Sequence, residues 1–185
     1  VTRPREGRGI INIHIKIIYP LSIPYQTQVN HANAWLNDYN LEIRVKSVTN
    51  LQHLTQFQTL DLRLANPAQF CLMGQSSSEQ NDLYINHRGN VPGNEIAVYF
   101  VRDTIYPLGG CASFPSGYPS AVLTTAINNY VLPHELGHVL GLFHVNNDYR
   151  IMTQNNLSNI ISPPPDLTNS ELDTIWRSPY IEIIR

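Results

Sequence analysis

The chain has little charge, and its few basic residues are scattered. Only 14% of its 185 residues are charged, compared with about a quarter in average soluble proteins. Lysine is limited to Lys16 and Lys46, and the formal net charge is −2. The only basic cluster is Arg3, Arg5 and Arg8 at the N-terminus. Because a phosphate-binding surface needs clustered Lys and Arg, the sequence predicts no nucleic-acid partner.

Long hydrophobic runs and cysteine are also scarce. No apolar run approaches the roughly 20 residues that a membrane-spanning helix needs, so no membrane span is predicted. Two cysteines, Cys71 and Cys111, are too few for a disulfide-dense scaffold, and their spacing fits one bridge as well as two buried thiols. Since both lie in segments predicted as short strands, we expect them to pair or to lie buried close together.

Amides replace charges as the polar part of the composition, with 19 Asn and 9 Gln. A low charge is typical of secreted chains, and the absence of an initiator Met is typical of a processed product. We therefore expect a secreted, extracellular or periplasmic protein. Apolar residues make up 42% of the chain, which is enough for one hydrophobic core. We therefore predict a single domain over residues 1–185, with residues 1–8 as a frayed tail.

The hydrophobic patterns predict an α/β (α+β) fold in which strands and helices alternate. Alternation or apolar runs predict strands at 10–19, 41–48 and 96–101, with shorter candidates at 70–73, 109–114 and 121–125. Helical spacing or capping signals predict helices at 25–39, 132–140 and from the Thr168–Glu171 capping-box pattern to about Arg177. The polar stretch 75–93 is expected to be mostly loop.

A cluster of histidines near the middle of the third predicted helix has the spacing of a metal site. Residues four apart share a helix face, so His134 and His138 can both present an imidazole to one ion. Glu135 lies about 100° round the helix, where it can reach a metal-bound water without being a ligand. Gly141 permits a left-handed turn that can bring His144 back as a third ligand. Three imidazoles with one open position are typical of a catalytic zinc site, so Zn²⁺ is the predicted cofactor.

Chance is a weak explanation for this pattern. A lone histidine on an apolar helix face is usually a satisfied core residue, and a bare His-Glu-x-x-His recurs by accident. With 7 His, 7 Glu and 10 Gly in the chain, however, all five fixed positions coincide about once in fifty thousand such chains. The zinc interpretation is therefore favoured.

The same residues resemble the metzincin zinc metallopeptidases. That family has the motif His-Glu-x-x-His-x-x-Gly-x-x-His, which is matched at every fixed position from His134 to His144. Its members also carry a methionine in a tight turn below the zinc, and Met152 is the matching candidate. The segments 70–72 and 108–115 are loosely similar to the pappalysin-like group, which includes ulilysin and cytophagalysin. Gln154 stands where some members have a zinc-binding tyrosine, so that ligand is not expected.

The resemblance implies a metzincin-like twisted mixed sheet, a zinc-binding active-site helix and a C-terminal helix. In the family, the segment equivalent to 109–114 is an exposed edge strand above the zinc. This implies that Gly110, Cys111, Ala112 and Ser113 bind an extended substrate through main-chain hydrogen bonds. The short spacing between His144 and Met152 leaves little room for an ion-binding insertion, so calcium is not predicted.

The predicted reaction is hydrolysis of internal peptide bonds in a protein or peptide substrate. Three neutral imidazoles leave zinc its full charge, which lowers the pKa of a bound water from about 15.7 to about 7. Glu135 would take the proton of that water as general base and deliver it to the leaving amine. The alternative is a non-catalytic zinc-binding or adhesion domain with the same fold, but the presence of Glu135 favours an enzyme. An inhibitory pro-segment outside this chain could be a further partner.

Overall fold

Strands and helices alternate along the part of the chain that the computed structural model describes, which is residues 6–125, 128–154 and 167–185. The strands are β1 (Arg8–Ile17), β2 (Leu41–Asn50), β3 (Thr59–Leu60), β4 (Ile96–Phe100), β5 (Asp103–Thr104), β6 (Gly110–Cys111), β7 (Ser120–Leu123) and β8 (Ile181–Ile184). The helices are α1 (Tyr25–Leu36), α2 (Ser78–Asn86), α3 (Val131–Val139) and α4 (Asn169–Arg177). Within these ranges, every helix is too short or too polar to span a bilayer.

Six strands form one twisted mixed sheet, which confirms the predicted fold class. Its order is β2-β1-β4-β7-β6, and β8 pairs antiparallel with the first residues of β1. The pairs β1–β2, β1–β4 and β4–β7 are parallel, whereas β6 runs antiparallel to β7. As a result, β2 and β6 are the two edge strands of this order. A separate parallel pair joins β3 and β5.

The two faces of the sheet differ in polarity because residues alternate along β1. Ile11, Ile13 and Ile15 face a large core that also contains buried residues of α1, α3 and α4. The opposite face has a second core, in which Tyr84 of α2 stacks on Tyr99 of β4. This second face also carries the buried polar residues of β1, namely Asn12, His14 and Lys16.

Several sequence predictions of local structure are confirmed, and the clearest is the start of α4. The Thr168 side chain accepts a hydrogen bond from the Glu171 N–H, and the Glu171 side chain accepts one from the Thr168 N–H. This is the predicted capping box. The strands at 10–19, 41–48 and 96–101 and the helices at 25–39 and 132–140 are also present with shifted ends.

Other local predictions are wrong for identifiable reasons. The segment 70–73 is not a strand, because Cys71 has φ 49°, which interrupts extended backbone, and Phe70 makes only an isolated bridge. The segment 75–93 contains a helix that was not predicted: α2 takes up 9 of its residues, behind a capping box between Ser77 and Gln80. Arg8 is not part of a frayed tail: it opens β1 and pairs with Ile184. Residues 1–5 lie outside the described ranges.

A disulfide bond joins Cys71 to Cys111, with the two Cα atoms 5.8 Å apart. The expected pairing of the cysteines is therefore confirmed, although only Cys111 lies in a strand. The bond attaches the loop before α2 to the edge strand β6.

Removing this disulfide should destabilise the protein by about 4 kcal/mol. The expectation follows from the 40-residue separation of the cysteines, because a closed loop of that length removes substantial entropy from the unfolded chain. Urea unfolding of a Cys71→Ala/Cys111→Ala double variant measures the change in free energy of unfolding. An unchanged unfolding midpoint, or two reactive thiols in denatured unreduced wild-type protein, would contradict this prediction.

Candidate metal centre

Three imidazoles meet at the end of α3. The Nε2 atoms of His134 and His138 are 3.2 Å apart, those of His138 and His144 are 3.0 Å apart, and those of His144 and His134 are 3.3 Å apart. Nitrogen ligands lie 2.0–2.1 Å from zinc, so two corners of a tetrahedron are about 3.3–3.4 Å apart. The three histidines predicted as ligands therefore converge with a spacing that fits three corners of one tetrahedral Zn²⁺ site.

Backbone carbonyls orient two of these rings. Nδ1 of His134 lies 2.6 Å from the Ile151 carbonyl oxygen, and Nδ1 of His138 lies 2.8 Å from the Leu142 carbonyl oxygen. A carbonyl only accepts, so each Nδ1 donates and the proton of each neutral ring resides there. The Nε2 lone pairs are thereby free to bind a metal, as in many protein sites where a second contact fixes the tautomer of the ligand.

Burial keeps the imidazoles in the neutral form that binds metal. Desolvation lowers the pKa of His134 to about 3, assisted by the neighbouring His138. Desolvation also lowers the pKa of His138, to about 4, and it lowers the pKa of the half-exposed His144. At neutral pH the three rings therefore offer lone pairs rather than protons.

The chain reversal after α3 brings the third histidine to the other two. Gly141 adopts φ 104°, a conformation that glycine reaches without steric strain. The Gly141 N–H donates to the His138 carbonyl and the Leu142 N–H donates to the Gly137 carbonyl, which closes the helix end. The predicted left-handed turn is present at Gly141, and it directs the following residues back towards the helix.

Met152 lies directly beneath the helix that carries the first two histidines. It is fully buried, and a Cβ atom added to Gly137 would lie only 2.5 Å from its sulfur. The sulfur thus contacts the helix backbone at a position between His134 and His138. The Met152 carbonyl accepts from the Val145 N–H, which ties the segment after His144 to the segment that carries the methionine.

We expect Met152→Leu to cost less than roughly 1.5 kcal/mol of folding free energy and to leave zinc bound. Leucine preserves most of the volume and the apolar character of this buried site. Thermal unfolding with metal analysis of the purified variant measures both quantities. Loss of the metal from a folded variant would mean that the sulfur does more than pack beneath the helix.

Glu135 is buried beside the histidines, against the backbone of the edge strand. Its side chain is removed from water, and this desolvation raises the pKa of the carboxyl group to about 8. A Cβ atom added to Gly110 would lie 2.7 Å from Cγ of Glu135 and 2.8 Å from its Oε1. Glycine at this position of β6 therefore lets the strand approach the carboxylate closely.

The segment predicted to bind substrate includes the edge strand, but β6 itself is only two residues long. The Gly109 carbonyl accepts from the Thr124 N–H of the chain next to it, so in an antiparallel pair the N–H of Gly110 points away from β7. Cys111, Ala112 and Ser113 are buried, and the Gln80 side chain donates to the Ser113 carbonyl. The strand ends before the predicted limit at 114.

An ion pair near the centre was not identified from the sequence. Arg150, next to the residue whose carbonyl orients His134, donates to the carboxylate of Glu171 at the start of α4. The sequence indicated Glu171 only as a capping residue, and no spacing rule links it to Arg150. The carbonyls of Ile151 and Leu142 leave no signal in a sequence either, because every residue has one.

No family model and no curated protein matches this chain. Metalloproteinase-II from Bacteroides fragilis is similar in structure, with a TM-score of 0.57 and 15% identity over 93% of this chain and 54% of that chain. The chain therefore shares its fold with this metalloproteinase. It is also similar to archaemetzincin from Methanopyrus kandleri, with a TM-score of 0.58 and 18% identity over 94% of this chain and 97% of that one.

These likenesses concern the fold alone. The chain spans about half the length of the Bacteroides structure. Together with the three converging imidazoles, they fit Zn²⁺ as the cofactor. The likeness to the pappalysin-like group stays a prediction.

Proposed function

We propose that the chain is a metzincin-type zinc endopeptidase that hydrolyses internal peptide bonds of proteins or peptides. The observation that carries this proposal is the convergence of His134, His138 and His144 beside a buried Glu135. A site that only held zinc for stability would need a fourth protein ligand, which the three-histidine group lacks among the described residues. The metalloproteinase fold of similar structures supports the same conclusion.

The residues of the site have distinct roles in the proposed reaction. The zinc ion would supply a Lewis acid that polarises the scissile carbonyl and acidifies a water molecule. His134, His138 and His144 would hold the ion through Nε2. A bound zinc ion beside Glu135 would favour the ionised carboxylate and so oppose the effect of burial on its pKa. Glu135 would then accept a proton from the attacking water and deliver that proton to the nitrogen of the leaving amine. Its burial excludes competing solvent from the proton transfer.

The edge strand is the proposed binding site for the substrate backbone. The outward-pointing N–H of Gly110 can pair with an extended peptide, which would then run past Glu135 as one more strand of the sheet. Of the four predicted residues, Gly110, Cys111, Ala112 and Ser113, the last three have buried side chains, so contact with substrate would use main-chain groups. Cys111 faces β7 in the antiparallel pair and the Ser113 carbonyl accepts from Gln80, so the proposed contact rests on Gly110 first. Such binding aligns a scissile bond with little regard to sequence.

The Cys71–Cys111 disulfide supports a secreted or periplasmic location, because disulfides persist in oxidising compartments.

Cleavage of an unfolded protein tests the proposal. We expect casein to be cut at internal bonds, chelation to abolish cleavage, and added zinc to restore it. A peptide blocked at both ends should also be cleaved. His138→Ala should lose zinc and activity together, whereas His53→Ala, at an exposed histidine remote in sequence from the site, should keep both. Stoichiometric zinc without any cleavage would favour the non-catalytic alternative.

A further inference from the structure

A second group of reactive side chains lies on the face of the sheet opposite α3. Nδ1 of His14 is 2.7 Å from the hydroxyl oxygen of Ser47, and Nε2 of the same ring is 2.5 Å from Oε2 of Glu95. The three residues come from β1, β2 and the segment before β4. Since Ile13 and Ile15 point into the core beneath α3, His14 points to the other face of β1, away from the metal centre.

The contacts define where the protons lie. A carboxylate at 2.5 Å from Nε2 accepts a hydrogen bond, so the ring proton of neutral His14 resides on Nε2. Nδ1 then carries a lone pair and accepts the hydroxyl proton of Ser47. A serine hydroxyl bound to a basic imidazole nitrogen, with a carboxylate on the other nitrogen, is the arrangement that activates a nucleophile.

A β-bulge places the serine opposite the histidine. The pairing of β1 with β2 is regular up to Ile13 and Val45, and then it skips Lys46 so that His14 pairs with Ser47. Without the extra residue, Lys46 would stand opposite His14. Bulges occur often beside active sites, where they redirect a side chain. Here the bulge creates the contact between the hydroxyl and the imidazole.

The backbone that carries Glu95 is held by a buried arginine. The Arg88 guanidinium donates to the carbonyls of Val91, Pro92 and Glu95 and to that of Pro119. Arg88 is only 3% exposed, so this network fixes the loop before β4. The backbone of Glu95 is thereby held in place while its side chain contacts His14. The residue that orients the imidazole is rigidly supported, as a charge partner of a general base must be.

The serine is reachable from solvent. Ser47 and its neighbours Lys46 and Val48 are exposed, and they lie on β2, an edge strand of the sheet. His14 is mostly covered, with 11% of its side chain exposed, and so is Glu95 with 16%. The Ser47 hydroxyl is exposed, whereas the His14 imidazole and the Glu95 carboxylate are largely buried. A reagent can therefore approach the hydroxyl oxygen while His14 stays shielded from solvent.

We propose that Ser47 is an activated nucleophile that takes up acyl groups from activated esters, at a site separate from the metal centre. The Oγ atom attacks the ester carbonyl, and its proton passes to Nδ1 of His14. A bond forms between Oγ and the acyl carbon, and the bond between that carbon and the alkoxy oxygen breaks. The proton on Nδ1 then leaves with the alcohol, while Glu95 stabilises the transient imidazolium at Nε2.

A fluorophosphonate reagent tests the proposal, because its phosphorus is attacked by the same hydroxyl and fluoride leaves with the proton as hydrogen fluoride. The full chain is incubated with the reagent, and intact mass and peptide mapping locate the label. We expect one label per molecule, on Ser47. Metal chelation should leave the labelling rate unchanged, which distinguishes this site from the proposed peptidase centre.

Matched variants test each part of the arrangement. Ser47→Ala should abolish labelling, while Ser116→Ala, at an exposed serine in a loop, should not affect it. Glu95→Gln keeps the shape of the orienting residue but removes its charge, and we expect labelling about 100-fold slower. The absence of a label on wild-type Ser47 would overturn the proposal whether or not the variants fold. An unchanged labelling rate in folded Glu95→Gln would show that the Glu95 carboxylate does not assist His14.

Discussion

Glu135→Gln should lower peptidase activity by about a thousand-fold or more while zinc stays bound. The amide has nearly the size of the carboxyl group, so the packing against Gly110 is preserved. It cannot accept and return a proton, and proton transfer by a positioned side chain contributes about 10²–10⁴-fold to a rate. Initial rates on a quenched internal peptide, together with metal analysis, measure the two effects separately.

The control for this variant is Glu42→Gln, which removes a carboxylate that pairs with Arg8. Glu42 points to the face of β2 opposite its core neighbours Leu41 and Ile43, and therefore away from the zinc helix. This control should leave cleavage unchanged. If Glu135→Gln retains more than a few per cent of the wild-type rate, the carboxylate is not the general base. If it loses zinc as His138→Ala should, then Glu135 has a structural part in metal binding that the proposal does not include.

Gly110→Ala should lower kcat by about 100-fold, although the change adds only one methyl group. The new carbon would lie 2.7 Å from Cγ of Glu135, closer than packed carbons approach, so either the strand or the carboxylate must move. A displacement of about 1 Å from the productive geometry can cost 10²-fold in rate. Zinc content should be unaffected, because the atoms nearest to the added carbon belong to Glu135 and not to a histidine.

Gly93→Ala is the matched control, since a Cβ atom there would lie 3.4 Å from the Gly117 carbonyl oxygen, in a loop. It should keep both kcat and KM. Steady-state kinetics and thermal unfolding of the two variants distinguish a local effect on Glu135 from a general loss of stability. Equal kcat for wild type and folded Gly110→Ala would show that the close approach of β6 does not position the carboxylate.

The features predicted successfully from the sequence are those that local rules control. The spacing of His134 and His138 follows from helix geometry, and the turn at Gly141 follows from the conformational freedom of glycine. The capping box at Thr168 depends on residues only three positions apart. Each of these involves neighbours in the chain, where the physical constraint is the same in every fold.

Long-range features were beyond the same reasoning. The order β2-β1-β4-β7-β6 does not follow the order of the chain, and no local pattern indicates that β8 returns to β1. The loop before α2 contains Cys71 at positive φ, which the apolar run Phe70–Met73 concealed. By contrast, α2 was missed although its Ser77 and Gln80 have a recognisable capping spacing, because its polar composition suggested loop.

The contact between Gly137 and Met152 makes two distant positions of the chain interdependent. A side chain at position 137 would occupy the space of the methionine sulfur, and no rotation about the backbone of a helix can avoid it. A homologue with alanine at 137 should therefore carry either a smaller residue at 152 or a methionine there in another rotamer. Substitutions at these two positions should be found together in related sequences, and an alignment can reveal that correlation without any measurement on the protein.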